Sequence, residues 1–324
     1  MQIAKLYYAK LKESKLAKDA GTYTAFTVFD RAVPFLFLPI ITRFLSPDEY
    51  GLYVTFQTLL SFFIPFLSLG TDASIIISYF KLSYEKFKQY FFNSFIVFLS
   101  LSVIVFFIFY FFSPQISELV KFPSEWLIWV FAGCFFQYIN DLNANLWQSF
   151  RKPIRYGTFK ISYTILKNGL NLFFVISLGL SWKGLVYSQI ITAVLFSCIS
   201  LVIFLRRNYF NFTFNSNYIK DSLHYGVPLS LHNLGAWAAD LASRLILNSL
   251  VGIAATGEFG AGATLGMVVS LIQDSFNRAF APYLFEKLKN PTEAVKKSIV
   301  KKTYLYYIII FILAGIIGVA GSLA

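Results

Sequence analysis

Tyr156, Lys160, Thr164, Lys167 and Asn171 recur at intervals of three and four residues inside one apolar stretch. On a helix that spacing stacks them along a single face. Lys160 and Lys167 then stand roughly 10 Å apart, with no acid in their own stretch. Lys167, a compact point charge with three donors, suits an anion in a cavity or a structural pairing. Other apolar stretches carry similar stripes: Gln57, Ser61, Pro65, Ser68 and Asp72; Gln137, Asp141, Asn145 and Gln148; Asn233, Asp240 and Arg244; Ser270, Asp274 and Asn277. Thr24, Thr27 and Arg31 share a further face.

Ten ionisable residues lie within apolar stretches: Asp30, Arg31, Asp72, Asp141, Lys160, Lys167, Asp240, Arg244, Asp274 and Arg278. Each costs about 2.5–3.5 kcal/mol or more at the centre of a bilayer, so each needs a reason. Asp240/Arg244 and Asp274/Arg278 are acid-to-arginine pairs at i,i+4, the favourable order for local neutralisation. Asp30 adjoins Arg31, and Asp141 can reach Lys160 across a short loop. Lys167 has no local partner and is expected to face a cavity. Gln57, Gln137, Asn145, Gln148, Asn171, Asn233 and Asn277 are read as polar cavity lining; for Gln137, Asn145 and Gln148 ordinary interhelical contact is an equal reading.

Enzyme chemistry finds little support. Cys134 and Cys198 sit in apolar runs and read as small hydrophobes. His224 and His232 are eight apart, too far and too far out of phase to share a metal. No metal cluster, Walker-type loop or Ser-His-Asp set is present in the sequence, and no cofactor is expected.

The elements that position these residues follow from composition. The 324 residues are 57% hydrophobic and 14% charged, against about 45–50% and about 25% in soluble domains. The chain is therefore read as an all-α, polytopic membrane protein. Nine stretches are long and apolar enough to span: Gly21–Leu45, Tyr50–Leu69, Tyr90–Phe112, Trp126–Phe150, Tyr156–Leu178, Gly184–Leu205, Leu223–Leu247, Phe259–Leu284 and Tyr304–Leu323. The second is expected to continue as a short interfacial helix over Ala73–Phe80. Spans 3 and 6 are expected at the periphery; spans 1, 2, 4, 5, 7 and 8 are expected around a cavity.

Lys and Arg fall twenty in one set of alternate loops and three in the other. That asymmetry places the N-terminus in the cytoplasm. The ten intramembrane charges cancel, so the net +12 resides in loops and tails. It is a topology signal, and no nucleic-acid partner is implied.

Glu49-Tyr-Gly-Leu-Tyr53 and Glu258-Phe-Gly-Ala-Gly262 stand at the mouths of two spans, 209 residues apart. The offset suggests two parallel repeats, as in transporters built from paired bundles. The expected organisation is a cytoplasmic amphipathic tail (1–20), a six-helix lobe (21–205), a cytoplasmic linker (206–222) and a partial, truncated three-helix lobe (223–324).

The stretch Arg43-Phe-Leu-Ser-Pro-Asp-Glu-Tyr-Gly-Leu-Tyr53, with Ser68-Leu-Gly-Thr-Asp72, resembles bacterial polysaccharide flippases of the O-antigen and capsule type. These belong to the multidrug/oligosaccharidyl-lipid/polysaccharide exporter (MOP) superfamily. Tyr225-Gly-Val-Pro228, Ala239-Asp-Leu-Ala-Ser-Arg244 and Phe280-Ala-Pro-Tyr-Leu-Phe285 are similar to that family's second bundle. The resemblance implies movement of an undecaprenyl-pyrophosphate-linked glycan across the bacterial inner membrane by alternating access. Arg31, Lys160, Lys167, Arg244 and Arg278 would meet substrate. Asp30, Asp72, Asp141, Asp240 and Asp274 would be counter-ions or sites for a coupling H+ or Na+. Partners would be membrane lipids, the glycan and glycan-assembly membrane proteins. The rival readings are a cation-coupled small-molecule exporter of the same superfamily, and an inactive fragment or scaffold.

Overall fold

The computed structural model of the chain describes residues 15–41, 43–120, 122–250, 273–274, 276–277, 280–281, 283–288 and 292–322. The described residues are almost wholly helical. The long elements are α1 (Lys15–Ile41), α2 (Pro47–Ser68), the short α3 (Thr71–Lys81), α4 (Tyr84–Val120), α5 (Leu127–Ser149), α6 (Pro153–Leu172), α7 (Ser181–Arg206), α8 (Ser216–Leu250) and α9 (Glu293–Ser322). Expected spans 1 to 7 and span 9 each coincide with one of these helices. Span 8 falls largely on residues outside the described set. The helix of span 7 begins at Ser216, earlier than Leu223 and inside the stretch expected as linker. Both histidines lie on it.

Three described helical segments are long and apolar enough to cross a membrane by themselves: Tyr84–Glu118, Ser181–Arg206 and Val295–Gly315. Thr55–Ser68 with Thr71–Lys81 passes as one bent pair. The other helices are diluted by the polar stripes noted above. The outward face of α4 carries Val103, Ile104, Phe107, Tyr110, Phe111 and Phe112, each about half exposed or more. Such an apolar face is at home in lipid. At 37 residues α4 is about 55 Å long, well beyond a bilayer core.

The start of α2 explains why Ser-Pro-Asp-Glu stands there. The Ser46 hydroxyl accepts the Glu49 N–H at 3.2 Å, and the Glu49 carboxylate accepts the Ser46 N–H at 2.8 Å. Pro47 fills the first helical turn, where its missing N–H is no loss. Glu49 also accepts a hydrogen bond from Ser181 at the head of α7. These donors hold the Glu49 carboxyl below its ordinary range, the Ser181 hydroxyl most of all.

The end of α2 is equally specified. Leu69 (φ 38°) and Gly70 (φ 69°) are both left-handed, so the helix stops and α3 leaves at 47°. A Cβ on Gly70 would lie 2.5 Å from the Gly226 carbonyl oxygen, and one on Gly226 would lie 2.0 Å from that of Leu69. Here two backbones touch, α8 against the α2–α3 break, and glycine is required on both sides. The contact is flanked by Thr71–Tyr138 (2.5 Å) and Ser74–Ser222 (2.8 Å) hydroxyl bonds.

The chain forms two compact units. The larger comprises Phe29–Trp147 and Thr158–Gly235. Within it α2 packs on α4 and α7, and α3 on α4. The smaller comprises Met1–Val28, Gln148–Gly157 and Ala236–Ala324. In it Arg151 joins Asp19 at 3.2 Å and Glu286 at 3.0 Å. Tyr23 meets Tyr156 edge-on at 5.4 Å.

Candidate functional site

The larger unit holds a cavity of about 440 Å3 whose polar wall is built on α6. Lys160, Tyr163, Thr164 and Lys167 follow one another at i, i+3, i+4 and i+7, and all four line it. Asp30 enters from α1, Gln57 and Ser61 from α2, Gln137 from α5 and Gln189 from α7. Leu60 and Ile64 supply an apolar side. Five helices thus each turn polar side chains to the same space, which keeps those groups away from lipid.

A chain of hydrogen bonds crosses the site. The Lys160 ammonium donates to Asp141 Oδ1 at 2.7 Å, and Gln137 Nε2 donates to Asp141 Oδ2 at 3.0 Å. The Tyr163 hydroxyl donates to Gln137 Oε1 at 3.0 Å and accepts from Gln189 Nε2 at 3.1 Å. Gln189 Oε1 is buried and has no partner among the described residues. Thr164 donates to Asp30. The Lys160–Asp141 side chains are 25% and 36% exposed. Water therefore reaches the pair, and its net worth is of order 1 kcal/mol.

Lys167 makes no hydrogen bond or ion pair within 4 Å among the described residues. It shares the cavity with Asp30, whose carboxylate is engaged by Thr164. Among the described residues, the side chains lining the cavity thus carry two ammonium groups and one carboxylate, and Asp141 is bonded to Lys160.

Of the residues singled out by sequence, Asp30, Gln57, Gln137, Lys160 and Lys167 come together here, and Asp141 joins them through its bonds. Asp72 does not. The break at Leu69–Gly70 takes it off the α2 stripe and into the first turn of α3, where an acid suits the helix dipole. There it accepts from Asn145 at 3.4 Å, so neither residue lines the cavity. Gln148 belongs to the smaller unit. Asn171 is buried one turn beyond Lys167, its Oδ1 unpartnered among the described residues. Asp274 and Asn277 are half-buried and exposed, and lie in the smaller unit. Arg278 lies outside the described residues, as does Glu258–Gly262 of the repeat. For Arg31, Asn233, Asp240 and Arg244 only the backbone is described.

Two polar lining residues are absent from the sequence-derived set. Tyr163 is aromatic and reads as core, yet its hydroxyl connects two amides. Gln189 lies on α7, expected at the periphery; that expectation fails for one face of the helix. The signal was present: Ser188, Gln189, Thr192 and Ser200 occupy a single arc of α7, and all are buried. Ile191, Leu195, Ile199 and Val202, on the adjoining side of the helix, are exposed. Cys134 is buried against the Leu60 carbonyl, whereas Cys198 is exposed. Among the described residues no three metal-ligating side chains cluster.

The family model for "Polysaccharide biosynthesis protein" matches residues 16–287. A protein of the Lsg locus of Haemophilus influenzae is 25% identical over 312 residues, covering 92% of this chain and 72% of the relative. Among solved structures, the Vibrio cholerae MATE transporter VcmN in its bent form superposes with TM-score 0.75 at 14% identity, covering 93% of this chain and 73% of that one. A MOP superfamily transporter from Pyrococcus furiosus gives TM-score 0.69 at 18% identity, covering 96% and 72%. At such identities the likeness concerns the fold.

Proposed function

We propose a substrate from one premise: the chain belongs to the polysaccharide biosynthesis protein family. It is a multi-pass membrane transporter of the MOP superfamily, not an enzyme. The proposal is that it moves a polyprenyl-pyrophosphate-linked glycan from the cytoplasmic to the outer leaflet of the bacterial inner membrane. The N-terminus is taken as cytoplasmic, and residues 21–205 and 223–324 as the two lobes that rock about the substrate.

The observation that carries this reading is Lys167, a cation in an apolar span, lining a cavity and free of any ion pair among the described residues. An unpaired charge there is costly, and a pyrophosphate gives it a reason. Before substrate arrives, Lys160 is paired with Asp141. A phosphate oxygen entering the cavity takes over that ammonium while Lys167 holds a second oxygen. Gln57, Gln137 and Gln189 supply amide groups for the first sugar or the bridging oxygens. When the cavity opens to the other face, Asp141 recovers Lys160 and favours release. Asp141 stays beside the site throughout, and the two ammonium groups offset part of the charge that the pyrophosphate brings.

Asp30, lining the same cavity, favours a second reading, a cation-coupled exporter of small molecules. Among the described residues of the wall, two ammonium groups against one carboxylate weigh toward the anion. In cells whose own exporter has been deleted, Lys167→Gln should insert at the level of the unaltered chain while surface polysaccharide is lost. Undiminished surface polysaccharide would overturn the assignment.

A further inference from the structure

A second cavity of about 380 Å3 lies in the larger unit between α3, the start of α4 and the start of α8. It shares no lining residue with the lysine cavity. The two are strung along the same chain: Ile64 borders one and Ser74 the other, with the Leu69–Gly70 break between.

Its chemistry differs from that of the first. Tyr90, Tyr218 and Tyr225 line it, with Lys81, Asn217 and Asp221. Tyr225 is 42% exposed and its ring has no aromatic partner among the described residues. Tyr218 is packed against Tyr90 at 5.4 Å, which fixes its ring. The Tyr90 hydroxyl donates to Asp221 Oδ2 at 2.9 Å; Asp221 Oδ1 has no partner among the described residues. Lys81 and Asp221 border one space, yet no ion pair within 4 Å joins them.

The wall therefore offers a flat aromatic face, a carboxylate acceptor, an amide and an ammonium donor, with no net charge. A free phosphate is a poor fit, because Asp221 repels it and Lys81 merely cancels that repulsion. An apolar chain is a poor fit, because three polar groups would lose water without replacement. A sugar ring meets every group: its C–H face lies on a tyrosine, and vicinal hydroxyls both donate to Asp221 and accept from Lys81 and Asn217. The volume lies within the range of about 300–1,000 Å3 usual for small-molecule pockets.

We infer that this cleft is a sugar-binding subsite that takes a neutral pyranose ring of the glycan. The inference rests on the reading of the substrate as a glycan carrier, and it adds a second point of recognition separate from the pyrophosphate.

The test uses the full chain in nanodiscs and saturation-transfer difference NMR with glucose, galactose, N-acetylglucosamine and rhamnose. At least one should show transfer at millimolar concentration. Tyr225→Ala, a change at a partly exposed ring, should weaken it tenfold or more. Tyr225→Phe should restore it, and Asp221→Asn should weaken it several-fold. Lys167→Gln should leave it unchanged. Inorganic pyrophosphate serves as the second probe: Tyr225→Ala should leave its binding intact. No transfer from any of the four sugars, or transfer indifferent to Tyr225→Ala, overturns the inference. So does pyrophosphate binding that falls with Tyr225→Ala, which would mark an anion site. Sugar transfer at the cleft with pyrophosphate binding indifferent to Lys167→Gln would instead sink the pyrophosphate reading and leave the subsite standing.

Discussion

The two lysines of the cavity should not be equivalent, and charge accounting shows how. Lys160 is matched by Asp141 at 2.7 Å, whereas Lys167 has no ion pair within 4 Å among the described residues. A unit charge about 4 Å from a phosphate oxygen is worth about 4 kcal/mol at an effective dielectric constant near 20. Water reaches this cavity, so about half of that is a fair expectation, roughly 2 kcal/mol or about 30-fold in Kd. Lys167→Gln should therefore weaken inorganic pyrophosphate binding about 30-fold. Asp141→Asn alone should strengthen binding several-fold, since it releases Lys160 to the ligand. Lys160→Gln/Asp141→Asn removes a cation together with its counter-ion, so it should lose less affinity than Lys167→Gln. Isothermal titration of the four proteins in nanodiscs reads all three. If the double variant loses as much as Lys167→Gln, or if Lys167→Gln binds normally, the electrostatic reasoning is wrong.

Three further outcomes follow from the surrounding structure. Gly70→Ala combines a left-handed Cβ penalty of about 1–2 kcal/mol with a backbone clash of about 1–3 kcal/mol. It should lower the thermal midpoint in detergent by several degrees, and Gly226→Ala should do the same. Tyr163→Phe leaves Gln137 Oε1 and Gln189 Nε2 without their shared partner. A loss of about 1–3 kcal/mol should appear in denaturant unfolding, with the fold retained. Glu49 has a folded pKa below its unfolded one. Its contribution is present above the ordinary Glu range and disappears as pH falls through the lowered folded value. Glu49→Gln should flatten that acid limb of the stability–pH curve, while an unchanged limb would show that the Ser46 and Ser181 bonds contribute nothing.

Much of the cavity could be read from spacing alone. Lys160, Thr164 and Lys167 share a face because α6 is regular there, and the approach of Asp141 to Lys160 followed from a loop too short to separate them. Helix positions were similarly legible, because a bilayer permits few alternatives to an apolar helix of fixed length. What spacing could not reveal were departures from regularity. The left-handed pair at Leu69–Gly70 moves Asp72 off its stripe, a local backbone event that a periodic pattern treats as continuous helix. Gln189 was overlooked because α7 is apolar on average, and an average conceals a narrow polar arc. Tyr163 was overlooked because a tyrosine among phenylalanines counts as core until its hydroxyl is followed. The Gly70–Gly226 contact joins residues 156 apart, and no local rule connects them.

The central claim is that this chain carries a pyrophosphate-linked glycan across a bilayer by way of Lys167. Its most direct test is transfer in proteoliposomes loaded with undecaprenyl-pyrophosphate-linked oligosaccharide in one leaflet, read by accessibility of the glycan to an added lectin. The account predicts that the unaltered chain brings the glycan to the opposite leaflet far faster than empty liposomes, and that Lys167→Gln does not. Equal transfer by the two proteins, or transfer no faster than in empty liposomes, would contradict it.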